Sequence, residues 1–112
     1  IVVIDEAYID FADDEGFLPV LDHYPNLIVL QTFSKAWGLA GLRLGMAFAS
    51  EEIISVLNKI KYPYNINILT QQVALEKLST VEEKNKQVGT ILQQRAALIQ
   101  QLQTLSMVQC VY

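Results

Sequence analysis

The sequence is poor in the residues that metal sites and disulfide frameworks require. Cys110 is its single cysteine and His23 its single histidine. One cysteine cannot form an internal disulfide, and such a residue is usually a small buried hydrophobic side chain in a reducing compartment. No second histidine or cysteine stands at ligand spacing from His23. We therefore interpret His23 as a surface residue and expect no metal site.

Basic residues are also few. The sequence has 8 Lys and Arg against 12 Asp and Glu, a formal net charge of −4, and its basic residues are scattered. Without a basic patch, no binding to nucleic acid or to an anionic membrane is expected. No apolar run approaches the roughly 20 residues that span a bilayer, and no secretory signal pattern is present. Since 52% of the residues are hydrophobic, we expect a globular, soluble, cytoplasmic protein.

Both ends of the sequence lie in apolar segments. The chain starts at Ile1, without an initiator methionine, and stops at Tyr112, where another β-prone run starts. We expect it to be a piece of a longer protein. Because an excised piece leaves part of its sheet and helices uncovered, we also expect it to expose apolar surface and to self-associate when alone.

Three runs of the sequence have the character of β-strands. Residues 1–4 and 27–32 are apolar, uncharged and rich in β-branched side chains, which predicts buried parallel strands. A third strand is expected at 46–49, and a short helical piece at 17–21.

Three helical patterns follow the strands. Ser50 is a plausible cap for the first helix, which ends before Pro63. Residues 67–78 are expected to form the second helix. The segment Thr80-Val81-Glu82-Glu83 has a capping-box pattern and starts a long helix that reaches about residue 105, with apolar residues at three- and four-residue spacing.

The strongest functional signal is the segment Thr32-Phe33-Ser34-Lys35-Ala36-Trp37-Gly38-Leu39-Ala40-Gly41-Leu42-Arg43-Leu44-Gly45. It places Lys35 on a glycine-containing loop after a predicted strand. Such a lysine can condense with a cofactor aldehyde, while the hydroxyls of Thr32 and Ser34 and the guanidinium of Arg43 bind the cofactor's phosphate through charge-assisted hydrogen bonds. The segment therefore predicts a site for pyridoxal phosphate.

A second segment, Asp5-Glu6-Ala7-Tyr8, follows the first predicted strand. Ligands of open α/β sheets lie beyond the carboxyl ends of the strands, which is where Asp5 is expected. A carboxylate beside the pyridine nitrogen keeps that nitrogen protonated. We therefore expect Asp5 to contact the ring nitrogen and the Tyr8 hydroxyl to contact the phenolate oxygen, with Glu6 facing a structural partner.

Each of these residues also has a plain structural interpretation. Thr32 and Ser34 could cap the loop through local hydrogen bonds, and this role is compatible with phosphate binding. Arg43 could pair with a helix end, and Asp5 could cap a turn. Tyr8 could be a packed aromatic ring with a solvated hydroxyl.

Together the two segments resemble the class II pyridoxal-phosphate aminotransferases of fold type I. The Lys35 segment matches the signature of that class at every defined position. Within the class, the sequence is most similar to the histidinol-phosphate aminotransferase family. That similarity rests on the segments Tyr8-Ile9-Asp10-Phe11, Ala40-Gly41-Leu42-Arg43-Leu44-Gly45 and Lys61-Tyr62-Pro63-Tyr64-Asn65-Ile66-Asn67.

The resemblance implies a three-layer α/β/α architecture and a domain plan. Residues 1–79 would belong to the large cofactor-binding domain, 80–106 would form the helix that links it to the small domain, and 107–112 would start the small domain. The resemblance also implies a homodimer that takes small amino and keto acids in histidine biosynthesis, with Lys35 as the catalytic base.

Two alternatives remain open at this point. Another class II enzyme, such as a threonine-phosphate decarboxylase or an aromatic aminotransferase, would keep the same cofactor residues. The 112 residues alone could also be catalytically dead and act only as an association module. We expect the piece by itself to be inactive.

Overall fold

The computed structural model describes residues 1–111, and Tyr112 lies outside the described residues. Three strands form one mixed sheet in the order β1-β2-β3: β1 is Val2–Asp5, β2 is Leu27–Thr32 and β3 is Gly45–Ala49. β1 runs parallel to β2, and β3 runs antiparallel to β2. The three strands predicted from the apolar runs are confirmed.

The core of the sheet lies on β2. Leu27, Ile28 and Val29 are buried, and Val29 is fully inaccessible. The prediction that the first strand is buried is wrong for this chain, since Val2 and Val3 are 51% and 55% exposed. Within residues 1–111, β1 is paired along one edge only, with β2.

Three α-helices follow the sheet: α1 is Glu51–Ile60, α2 is Ile68–Leu78 and α3 is Val81–Gln103. All three agree with the predicted helical patterns. α2 starts with a side-chain cap, because the Asn67 Oδ1 accepts a hydrogen bond of 2.9 Å from the Thr70 amide. The apolar stripe expected on α3 is only partly buried, since Val88 is buried but Ile91 is exposed.

The two hydroxyl caps expected from the sequence are not formed. Ser50 precedes α1, but its hydroxyl donates to the Pro25 carbonyl at 3.2 Å. Thr80 precedes α3, and its hydroxyl donates to the Lys77 carbonyl at 3.1 Å. α2 ends just before Thr80, so the hydroxyl satisfies one of the free carbonyls of that helix instead of an amide of α3.

The connecting segments contain short 3-10 helices. Leu18–His23 corresponds to the helical piece predicted at 17–21, while Ile9–Phe11 and Ala40–Leu42 were not predicted. The β-prone run expected near the end forms no strand within residues 107–111.

Glu6 ties the loop after β1 to the sheet. Its carboxylate is buried and accepts hydrogen bonds of 2.6 Å from the Phe17 amide and 3.0 Å from the Gln31 side-chain amide. This is the structural partner expected for Glu6. Gly16 passes directly over the carboxylate with φ of +68°, and a Cβ there would lie 2.6 Å from the Glu6 Oε1.

We expect Gly16→Ala to destabilise the full-length protein more than Gly38→Ala does. Gly38 has nearly the same φ, +66°, but nothing lies within 4 Å of the position that a Cβ would take there. Gly38→Ala should therefore show only the cost of a left-handed alanine, about 1–2 kcal/mol. Gly16→Ala should add about 1–3 kcal/mol, because Glu6 loses its hydrogen bonds. Urea unfolding measures both, and equal losses would contradict the close approach.

Candidate active site

The ends of β1 and β2 meet at one edge of the sheet. Asp5 is paired in register with Leu30, two residues before the end of β2 at Thr32. The Glu6 amide donates to the Leu30 carbonyl at 2.8 Å, which continues the ladder past the end of β1. The segments that carry Asp5 and Lys35 therefore leave the sheet side by side, as the sequence predicted.

The loop that carries Lys35 is held in place by its apolar neighbours. Phe33 and Ala36 are buried, whereas Lys35 is exposed. The Gly38 amide donates to the Lys35 carbonyl at 2.8 Å, and the Leu39 amide donates to the Phe33 carbonyl at 2.9 Å. The loop backbone is thus ordered while the lysine amine is available for chemistry.

The structure brings Lys35 and Tyr8 together. The Lys35 Nζ lies 4.7 Å from the centroid of the Tyr8 ring, within the range of a cation–π contact. Tyr8 is 60% exposed, so residues 1–111 alone do not pack it as an aromatic core residue. The two residues come from different loops, and their contact defines the centre of the candidate site.

Asp5 lies at the end of β1 with its carboxylate toward solvent. Its Oδ1 accepts a hydrogen bond of 2.9 Å from the Ala7 amide, which orders the turn that leads to Tyr8. No other hydrogen bond links this carboxylate to residues 1–111, so one oxygen remains available. Asp5 and Tyr8 both line an open cavity of about 470 Å³.

The two hydroxyl residues of the loop differ in their bonding. The Thr32 hydroxyl donates to the Leu44 carbonyl at 3.2 Å and accepts from the Ser34 amide at 3.0 Å. Its proton is therefore used inside the loop, which is the local role considered for it from the sequence. The Ser34 hydroxyl forms no hydrogen bond within the described residues and is free to contact a ligand.

Arg43 has an unusual backbone. Its φ of +53° places it in the left-handed region, and no other non-glycine residue within 1–111 has a positive φ. One guanidinium nitrogen, Nη1, donates to the Ala40 carbonyl at 3.0 Å, while the side chain is otherwise exposed. Left-handed non-glycine residues are uncommon and cluster at functional sites. The sequence indicated Arg43 by its position but gave no sign of this conformation.

The remaining residues considered from the sequence have structural surroundings. Trp37 packs on Phe33 with 5.5 Å between ring centroids, as expected for a packing residue beside the loop. His23 is exposed at the end of a 3-10 helix. Within residues 1–111, no group of three or more histidine, cysteine, aspartate or glutamate side chains is arranged to hold a metal ion.

Sequence reasoning missed two residues beside this site. Lys84 on α3 forms an ion pair of 2.6 Å with Asp10. Asp10 was noted only as part of a family segment, and Lys84 was not noted at all. They are 74 positions apart, so no local pattern could have joined them.

Comparison with known proteins assigns the family. The family model for aminotransferase class I and II matches residues 1–111. The chain belongs to this aminotransferase family. It is 67% identical over 105 residues to a histidinol-phosphate aminotransferase from Cytophaga hutchinsonii, an alignment that covers 94% of this chain and 30% of that relative. The chain thus spans less than a third of the length of this relative.

Solved structures agree with the family. A histidinol-phosphate aminotransferase from Sinorhizobium meliloti, in complex with pyridoxal-5'-phosphate, superposes with a TM-score of 0.76 at 29% identity, covering 88% of this aminotransferase chain and 28% of that one. A decarboxylase from Sulfurospirillum multivorans superposes with a TM-score of 0.77 at 26% identity, covering 93% and 32%. The predicted α/β class of a fold-type-I transferase is confirmed.

Among residues 1–111, none of the helices of this aminotransferase chain combines the length and the apolar character that crossing a bilayer requires.

Proposed function

We propose that the full-length protein containing this chain is a pyridoxal-phosphate-dependent aminotransferase that acts on L-histidinol phosphate and 2-oxoglutarate. The observation that carries the proposal is the placement of the Lys35 amine 4.7 Å from the Tyr8 ring centroid, at the sheet edge where Asp5 ends β1. The choice of substrate is supported by the 67% identity to a histidinol-phosphate aminotransferase.

The residues present fit the proposed cofactor. A pyridoxal phosphate needs an amine, a carboxylate and anion donors within one site. Lys35 and Asp5 are both exposed and supply the first two. Ser34 and Arg43 would hold the phosphate, because the Ser34 hydroxyl and most of the Arg43 guanidinium donors are not used by residues 1–111. Thr32 would support them, and joins the phosphate contacts only by giving up its bond to Leu44.

Each of these side chains then has a task in the reaction. When bound, pyridoxal phosphate supplies an aldehyde for the amino group and a ring that takes up electrons from the substrate carbon. The Lys35 amine would hold the cofactor aldehyde and, once displaced by the substrate amine, would accept the proton from the substrate carbon and return it to the cofactor carbon. The Asp5 carboxylate would keep the ring nitrogen protonated, and the Tyr8 hydroxyl would donate to the phenolate oxygen.

The proposal also covers the domains, the compartment and the assembly of the full-length protein. Residues 1–79 belong to the large domain, 80–106 to the helix that leads to the small domain, and 107–112 to the start of that domain. The active protein is a cytoplasmic homodimer. Because the chain spans 30% of its relative from Cytophaga hutchinsonii, we expect the 112 residues alone to be inactive.

The substrate is tested with the full-length protein and a panel of amino donors. We expect glutamate to form from 2-oxoglutarate with L-histidinol phosphate, at a kcat/KM at least about tenfold above that for aromatic amino acids, since a site built for a polar group rejects analogues that lack it. Phosphothreonine is the matched phosphorylated control. A higher kcat/KM with an aromatic donor would contradict the substrate and leave the aminotransferase class intact.

A second function has one observation in its favour. The decarboxylase from Sulfurospirillum multivorans superposes about as well as the aminotransferase complex does, with TM-scores of 0.77 and 0.76. A decarboxylase would use Lys35 and Asp5 in the same places but would release carbon dioxide and form no glutamate. Carbon dioxide release from phosphothreonine, without glutamate formation, would replace the proposed function by this one.

A further inference from the structure

A single lysine of α3 contacts both loops of the candidate site. The Lys84 Nζ lies 2.6 Å from the Asp10 Oδ1, and the two side chains are only 15% and 27% exposed. The same Nζ lies 5.2 Å from the centroid of the Trp37 ring. Lys84 therefore joins a carboxylate on one loop to an aromatic ring on the other.

The two contacts lie next to the residues that form the centre of the site. Asp10 follows Tyr8 by two residues, and Trp37 follows Lys35 by two residues. Tyr8 and Lys35 are themselves in contact. Two sets of contacts therefore fix the separation of the two loops. One is the Lys35–Tyr8 contact, and the other is formed by Lys84 with Asp10 and Trp37.

Further contacts keep α3 in this place. Val88, one turn after Lys84, is buried. The Arg95 Nη1 donates to the Phe11 carbonyl at 3.2 Å, so α3 also holds the 3-10 helix that follows Tyr8. Contacts from several turns of one helix fix its position better than a single ion pair.

The Lys84–Asp10 pair differs from the other ion pair of the described chain. Lys77 and Glu83 are 3.9 Å apart and 44% and 65% exposed. Exposed pairs of this kind contribute little, because water and salt screen them. A short, largely buried pair is screened less, and loss of one partner leaves the other charge poorly solvated.

From these contacts we infer that Lys84, which lies on α3, is a positioning residue. It fixes the separation between the Tyr8 loop and the Lys35 loop. The inference rests on the proposed cofactor roles of Lys35 and Tyr8. The interaction is that of a largely buried cation shared by a carboxylate and an aromatic face, and the inference assigns Lys84 no contact with substrate or cofactor.

The test uses three variants of the full-length protein. Lys84→Met keeps the aliphatic stem and removes the charge, Lys84→Arg keeps the charge, and Lys86→Met is the matched control. Lys86 lies on the same helix, is exposed, and forms no ion pair with residues 1–111.

Hydrogen exchange of the cofactor-free protein is the first measurement. With Lys84→Met, amides of residues 5–12 and 33–45 should exchange about tenfold faster, because both loops lose their common anchor. Exchange in α1 should not change. Lys84→Arg should keep much of the amide protection in both loops that Lys84→Met loses. Unchanged exchange in the loops, or a change in only one of them, would overturn the inference.

The second measurement is the affinity for pyridoxal phosphate. Lys84→Met should weaken it about tenfold, and it should also shift the pH midpoint of the visible absorption of the Lys35-bound cofactor, since the Lys35–Tyr8 separation changes. A purely structural role would lower the melting temperature without moving that midpoint. Lys86→Met should alter neither quantity.

These measurements distinguish failure of the proposed function from failure of the inference about Lys84. If the unmodified protein binds no pyridoxal phosphate, the proposed function fails, while exchange in the cofactor-free protein still decides the role of Lys84. If Lys84→Met does not fold, Asp10→Asn removes the same pair from the other side. Asp10→Asn with unchanged exchange in both loops would then overturn the inference.

Discussion

Lys35→Ala should abolish transamination by the full-length protein. Proton transfer by the lysine amine alone is worth about 10²–10⁴-fold in rate, and the variant also loses the covalent attachment of the cofactor. The Lys35 side chain is exposed, and its loop is ordered by backbone hydrogen bonds and by the buried Phe33 and Ala36. We therefore expect the loss of activity without loss of the fold.

Borohydride reduction followed by peptide mapping checks this prediction. The unmodified protein should yield a cofactor adduct on Lys35, and Lys35→Ala should yield none. Lys59→Ala and Lys61→Ala are matched controls, because both lysines are exposed, and each variant should keep its adduct and its activity. An adduct mapped to Lys59, Lys61 or any other lysine would refute the assignment of Lys35.

Asp5→Asn should leave the cofactor bound and lower kcat by about 10²-fold or more, because a neutral amide no longer holds the ring nitrogen protonated. The substitution is mild in structural terms. The amide oxygen of Asn can still accept the hydrogen bond that the Ala7 amide donates to Asp5, so the turn toward Tyr8 is preserved. The phosphate contacts proposed for Ser34 and Arg43 do not involve this position.

The check on Asp5 combines a binding titration with steady-state kinetics. The dissociation constant for pyridoxal phosphate should change little while kcat falls. Asp13→Asn provides the comparison, since Asp13 is an exposed carboxylate that forms no hydrogen bond with residues 1–111. Near-normal turnover of Asp5→Asn would show that this carboxylate does not hold the ring proton.

The strands, the helices and the edge where the site lies could be predicted from the sequence, because they depend on local patterns. An apolar, β-branched run predicted β2, and this pattern can be recognised without knowing which other segments pack against the strand. The burial of β1 could not be predicted in the same way. Whether Val2 and Val3 are covered depends on which other segments pack against the strand.

Hydroxyl groups were the other source of error. Ser50 and Thr80 stand in the positions expected of helix caps, yet each donates to a carbonyl outside its helix. A hydroxyl can donate or accept, and the nearest unsatisfied group decides between the two. For Thr32, local hydrogen bonding was one of the two roles expected from the sequence, but the pattern could not show that the Leu44 carbonyl accepts its proton.

The pairing of β2 with β3 limits how the Lys35 loop can vary among related proteins. Thr32 is paired with Gly45, and the Phe33 amide donates to the Leu44 carbonyl at 3.2 Å, so both ends of the loop are fixed in one ladder. A one-residue insertion or deletion that the loop did not absorb would slip β3 and turn its side chains to the opposite face. Met46 and Phe48, which line the same cavity as Trp37, would then be replaced there by Ala47. A change in the length of 33–44 must therefore be absorbed within the loop itself if β3 is to keep its register on β2.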